Sequence, residues 1–146
     1  MSSGNFMRLL KSILSDGKLD GCGITASGAD ITVGAGRIVA GGALVVVEST
    51  TVTASAAGEL VLKVDTSGDG TATILARPAV TLTKQDITGV GTVYEIQLAT
   101  FGFTSGAVSG LSVKIGAAAP IGASGRGIYV QQSAPSNPIT GDLWFW

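Results

Sequence analysis

A mainly β fold, an antiparallel β-sandwich or small barrel with one N-terminal amphipathic helix, is what this sequence predicts. Three observations carry the prediction. Glu59–Asp65 (ELVLKVD) and Thr92–Thr100 (TVYEIQLAT) alternate apolar and polar residues, the period of a half-buried strand. Between Gly21 and Thr53, short β-branched runs are separated by glycine pairs, as in strands joined by tight turns. A helical period occurs near the start of the chain, in Asn5–Ser15.

In that segment Phe6, Leu9, Leu10, Ile13 and Leu14 recur at the spacing of one helix face. Ser2, Ser3 or Asn5 can cap its start, and Gly17 follows its end. The stripe either packs on the chain's own sheet or docks onto a partner or another copy. Lys18–Thr53 then reads as about four or five short strands, among them Asp30–Val33, Arg37–Val39 and Leu44–Val47. Ala43–Val47 is apolar on both faces, so it must be covered twice, by the opposite sheet and by the helix or a neighbouring subunit.

Glu59–Asp65 and Thr71–Arg77 form an expected hairpin around the turn Thr66–Gly70, with Leu60, Leu62 and Val64 on one face and Glu59, Lys63 and Asp65 on the other. Pro78 ends it, because proline cannot donate to the ladder. Val80–Gly91 is a polar connection. In the next strand Tyr94, Ile96 and Leu98 share a face opposite Glu95 and Gln97, and Leu111–Ile115 is a last short strand. The expected total is about seven to nine strands. Four parts result: a helix at 1–17, a β domain at 18–116, a small-residue linker at 117–127 and an aromatic segment at 128–146.

Charged residues are 13% of the 146, about half the roughly 25% usual in globular domains. The net charge of −1 offers no basic field to nucleic acid or an anionic membrane. The longest strictly apolar run, Ala43–Val47, falls far short of the roughly 20 residues that span a bilayer. Arg8 and Lys11 interrupt Met1–Leu14, so it lacks the long apolar centre of a secretory signal. A surface this poor in charge is either rich in Ser and Thr or covered by other subunits, since bare apolar strands invite aggregation.

Histidine is absent, which excludes Ser-His-Asp and Cys-His nucleophiles within one chain. The single Cys22 excludes an intrachain disulfide framework and a thiolate zinc cage, and is expected as a small buried residue in a turn. The ten carboxylates are scattered and read as solvated strand and turn residues. A hydrolase would require two of them to converge in one cleft. Asp65, Ser67, Asp69 and Gly70 match the opening of a calcium loop, but its bidentate acid is replaced by Ala76. Gly34–Gly36 and Gly122–Gly127 lack the lysine followed by Ser or Thr of a phosphate loop. No catalytic residue, metal site or cofactor is therefore expected.

Contact is the expected means of action. The densest aromatic segment is Leu143–Trp146, with Trp144 and Trp146 on one side of an extended chain and Phe145 between them. Such residues plug a neighbour's groove, stack on sugar rings together with Tyr129, or close the chain's own sheet.

The order SDGKLDGCGITASGADITVGAGRIVAGGALVVVE, ELVLKVDTSGDGTATILARPAVTLTKQD and GTVYEIQLATF, closing on APSNPITGDLWFW, resembles small structural proteins of tailed bacteriophages. These are the fibre, baseplate and receptor-binding modules, and the resemblance covers roughly Ser15–Phe101. It implies a virion protein, commonly a homotrimer, attached to the particle through an N-terminal segment and to other virion proteins. Without a repetitive shaft or distal head before Trp146, a short fibre, baseplate or adaptor element is expected; a head fibre or capsid decoration is the alternative. A carbohydrate-binding module for host-surface glycans is a further reading. The expected contact residues are Phe6, Leu9, Leu10, Ile13, Leu14, Val46, Trp144, Phe145 and Trp146, with Tyr129, Trp144 and Trp146 for a glycan.

Overall fold

The computed structural model describes residues 3–121 and the strand segments 128–130 and 143–145. Helix α1 (Ser3–Ile13) precedes ten strands: β1 (Gly17–Gly21), β2 (Ile24–Ser27), β3 (Asp30–Val33), β4 (Gly36–Ala40), β5 (Ala43–Val47), β6 (Thr50–Thr53), β7 (Gly58–Asp65), β8 (Thr71–Arg77), β9 (Val93–Thr104) and β10 (Ala107–Val113). The fold is mainly β, with three antiparallel sheets of order β1-β4-β5, β2-β3-β6 and β10-β9-β7-β8. Among the described residues none of them closes into a barrel.

Six strands, β1–β6, fill the stretch expected to hold four or five. Each has only four or five residues, and the chain changes sheet between them. It leaves the first sheet at Cys22–Gly23, returns at Gly34–Ala35, and leaves again at Glu48–Ser49. Cys22 makes the first of these corners in the left-handed region, at φ 55°, and its side chain is buried. Gly36 is required beside it. A Cβ there would lie 2.6 Å from the Cys22 Sγ and 2.4 Å from the Asp20 carbonyl oxygen, so packing explains the second glycine of the GAG sequence.

The hairpins obey the turn chemistry of their sequences. Gly41 and Gly42 join β4 to β5 with φ of 58° and 91°, as a two-residue turn with both central residues left-handed requires. The Thr66–Gly70 loop joins β7 to β8, where the Asp65 carboxylate accepts from the Ser67 N–H (2.9 Å) and hydroxyl (2.6 Å). That is a turn built on its own aspartate. Among the described residues no group of three His, Cys, Asp or Glu gathers to hold a metal.

The core lies where the three sheets meet. Ile31 and Val33 come from β3, Ile38 and Ala40 from β4, Val45 and Val47 from β5, Leu60, Leu62 and Val64 from β7, and Ile96, Leu98 and Phe101 from β9. In β3, β4, β5 and β7 these are alternate residues, so the period of two is satisfied there, and β9 keeps it on either side of one irregularity. A bulge between Leu60 and Val61 brings Ala99 opposite Leu60 and adds it to the core.

Helix α1 seats on the β4–β5 turn, where a Cβ on Gly42 would lie 2.4 Å from the Met7 carbonyl oxygen. Its polar side holds the connection after β8. Lys11 donates to Asp86 at 2.8 Å and Arg8 to the Thr88 carbonyl at 3.0 Å. The Lys11 ammonium, with the Thr88 hydroxyl and amide, holds the Asp86 carboxyl down to about 2. After β10 the chain runs back along this end: Ser15 N–H donates to the Ala119 carbonyl and Ile121 N–H to that of Ile13. Residues 122–127 of the expected linker lie outside the described residues.

Asp16, just after the helix, ties three elements together. It accepts from the Gly41 N–H at 2.8 Å and from the Tyr94 hydroxyl at 2.6 Å. The Lys84 ammonium lies 3.7 Å from it and 5.1 Å from the centre of the Tyr94 ring. Burial and the Asp16 carboxylate push the Tyr94 phenol far above its ordinary value, so it remains a donor. Asp16→Ala is expected to lower stability by about 1.5–3 kcal/mol, measured by urea unfolding.

Candidate functional site

The contact residues expected from sequence separate into three groups. The first is the helix stripe. Its Leu10 is buried and Ile13 and Leu14 are half-buried, whereas Phe6 and Leu9 remain 42% and 45% exposed. The helix is turned so that Met7 and Lys11 meet the β4–β5 turn, and Met7 reaches the core. Met7 was outside the expected stripe; its position four residues before Lys11 and three before Leu10 placed it on the adjoining face.

The second group is on β5. This strand is the end of its sheet, with β4 on one side. Val45 and Val47 enter the core. Leu44 stands opposite Val39 and Val46 opposite Arg37, on the reverse face. Of the second cover expected from the helix or a neighbouring subunit, the described chain supplies only part: Leu44 is 41% exposed and Val46 70%. The helix reaches the Gly42 end of the strand, and among the described residues the far end stays exposed on this face. Leu44 was not singled out from sequence, although it shares the alternate position of Val46.

Beside β5 opens a cleft of about 390 Å³ lined by Val45, Val46, Val47, Glu48 and Thr50, with Leu62 of β7 and Ala72, Thr73 and Ile74 of β8 across it. Three consecutive residues of β5 line it and none of β4 does, so it lies on the unpaired side of the strand. Strand β8 is likewise the end of its own sheet.

The third group is C-terminal. Strands β11 (Ile128–Val130) and β12 (Leu143–Phe145) pair in parallel, which sets Tyr129 in register with Trp144 and Val130 with Phe145. Trp146 lies outside the described residues.

Two carboxylates do converge, against the expectation that all ten are solvated. Glu59 on β7 and Glu95 on β9 are only 1% and 4% exposed. Both project from the non-core face of the third sheet, onto which Pro78–Thr92 folds back. Arg77 of β8 stands between them. Its Nε donates to the Glu59 Oε1 at 3.1 Å, while its two terminal nitrogens donate to both Glu95 oxygens at 2.8 and 3.0 Å. Gln97 Nε2 donates to the other Glu59 oxygen at 2.8 Å, and the Val80 and Thr83 amides complete the two shells. All four carboxylate oxygens are thus engaged.

The electrostatics follow from these partners. Burial acts to raise the Glu59 carboxyl, but the hydrogen bonds from Gln97, Val80 and Arg77 outweigh it and hold the group below its ordinary value. Glu95 is lowered chiefly by its paired hydrogen bonds from Arg77, against burial. A glycosidase pair needs one carboxyl kept protonated by its surroundings. Here both are held ionised and saturated, an arrangement that clamps the Pro78–Thr92 connection to the sheet. The signal was present in the sequence: Glu59, Arg77, Glu95 and Gln97 all occupy the polar positions of alternating strands.

Compared with known proteins, the chain matches no family model and no curated protein.

Proposed function

We propose that this chain is a non-enzymatic structural component of a tailed-bacteriophage particle, a short fibre, baseplate or adaptor element that works as a homo-oligomer. The observation that supports this reading most directly is the edge strand β5. A valine that is 70% exposed and a leucine that is 41% exposed stand on an uncharged strand at the end of a sheet. With Phe6 and Leu9 exposed on α1, they add apolar surface to a chain already poor in charge. Surfaces of this kind mark protein contacts. The order of segments over Ser15–Phe101 supplies the phage context. A saturated, ionised carboxylate cluster is an anchor for a loop, which accords with a structural role.

Val46→Asp tests the contact. The side chain is exposed, so the variant is expected to fold with wild-type circular dichroism while the oligomer dissociates in analytical ultracentrifugation. Thr32→Asp serves as the control. Thr32 exchanges a hydroxyl hydrogen bond with Thr51 across β3 and β6 at 2.8 Å, so its loss is expected to cost about 0.2–1 kcal/mol without changing the assembly. A monodisperse wild-type monomer would overturn the oligomer. Mass spectrometry of purified virions tests the phage context: the chain is expected among the particle proteins, and immuno-electron microscopy then separates a tail position from a head decoration.

A further inference from the structure

We propose that two copies of this chain join edge to edge through β5, pairing the strand antiparallel with itself about Val45. This deepens, and rests on, the homo-oligomeric reading above. Three observations select both the strand and its occupant.

The first is that β5 lacks the devices that ordinarily blunt an edge. Natural edge strands carry lysine, proline, an inward charge or a bulge. Ala43–Val47 contains none of these residues, and its pairing with β4 runs through five consecutive residue pairs without a register shift. Among the described residues no strand pairs with its other side, which leaves outward amides and carbonyls without a strand partner there. Second, the strand is not packed tightly on that side: a cleft borders Val45–Val47 and Glu48, with β8 as its far wall.

Third, the sequence is self-complementary in one register. Antiparallel pairing about Val45 sets Ala43 opposite the partner's Val47, and Leu44 opposite the partner's Val46. The two exposed side chains of each copy thereby cover those of the other, which supplies the second cover that an all-apolar strand requires. The nearest charge, Glu48, falls opposite the partner's Gly42, so no carboxylate meets its own copy. A two-fold contact places one patch against itself, and like charges are its usual obstacle. This strand has none. The contact joins copies in pairs and adds a two-fold axis to whatever symmetry the rest of the assembly has.

Cysteine pairing tests the register. Directly opposed residues lie about 4.5–5.5 Å apart and diagonal ones about 7–8 Å, and a disulfide needs Cβ atoms within about 4.5 Å. Leu44→Cys and Val46→Cys chains, co-expressed with different tags, are expected to give a disulfide-linked dimer carrying both tags after mild oxidation. Either variant alone is expected to give none, and the wild type, whose Cys22 is buried, likewise none. Both substitutions replace exposed side chains, and circular dichroism monitors the fold. If ultracentrifugation shows an oligomer but no mixed dimer forms, the β5 contact is overturned while the homo-oligomeric reading stands. Cross-linking that is equal in the single variants overturns the register. A monomer at every concentration overturns both.

Discussion

Arg77→Ala is expected to lower the folding free energy by about 3–5 kcal/mol and to reverse the response of stability to acid. The first part follows from what the substitution leaves behind. Glu59 and Glu95 are almost fully buried, and Arg77 is the only cation paired with them among the described residues. Its removal strands two carboxylates under the Pro78–Thr92 connection. The strongly destabilising case is a buried pair with one partner removed, whereas replacement of the whole cluster by apolar residues is often neutral.

The acid response separates this from simple loss of packing. In the wild type both carboxyls are held below the ordinary value of 4.5. Their contribution is complete above that value, where folded and unfolded chains are both ionised. It is lost as the pH falls through the lowered folded values, because the unfolded chain binds protons first. Without Arg77, Glu95 loses the strongest of the interactions that lower it and burial raises its folded value, while Gln97 and the Val80 amide still act to lower Glu59. Protonation of Glu95 then favours the folded chain, so the variant gains stability as the pH falls from neutrality toward 5 while the wild type does not. Urea unfolding across that range measures both slopes. Parallel slopes would show that the guanidinium does not hold Glu95 ionised.

The cluster also shows where the sequence was and was not legible. Alternation marked Glu59 and Glu95 as the non-core residues of β7 and β9, and both do project from that face. What alternation cannot say is whether such a face meets water. The segment Val80–Gly91, read as a polar connection, returns across it, and its Val80 and Thr83 amides donate to the two carboxylates. A loop's destination is set by tertiary contacts of long sequence separation, which no local pattern encodes. The same limit explains the interleaving of β1–β6. Strand positions were visible in the β-branched runs and their turns in the glycines. The exchange between two sheets at Cys22, Gly34 and Glu48 depends on which strand each run pairs with. For β5 the pattern was complete but its consequence was open: five apolar residues require cover on two faces, and the chain itself supplies one.

Gly42→Ala is expected to be strongly destabilising, by about 1–3 kcal/mol from the backbone alone together with loss of the helix seat. At φ 91° the residue lies where side chains are rarely tolerated. The added Cβ would also fall 2.4 Å from the Met7 carbonyl oxygen and 2.9 Å from the Lys11 Cβ. Both neighbours belong to the helix, one of them to its backbone, so α1 must move as a body. Its displacement would break the Lys11–Asp86 pair and the Arg8–Thr88 hydrogen bond, and would uncover Leu10. Gly28→Ala isolates the backbone contribution. That glycine also has positive φ, at 58°, in the β2–β3 turn, but nothing lies within 4 Å of the added methyl. It is expected to cost about 1–2 kcal/mol and to leave the helix in place. Limited proteolysis distinguishes them: cleavage between Ser3 and Ile13 should accelerate in Gly42→Ala and stay at the wild-type rate in Gly28→Ala. Equal protection in both would mean that α1 is not held by the β4–β5 turn.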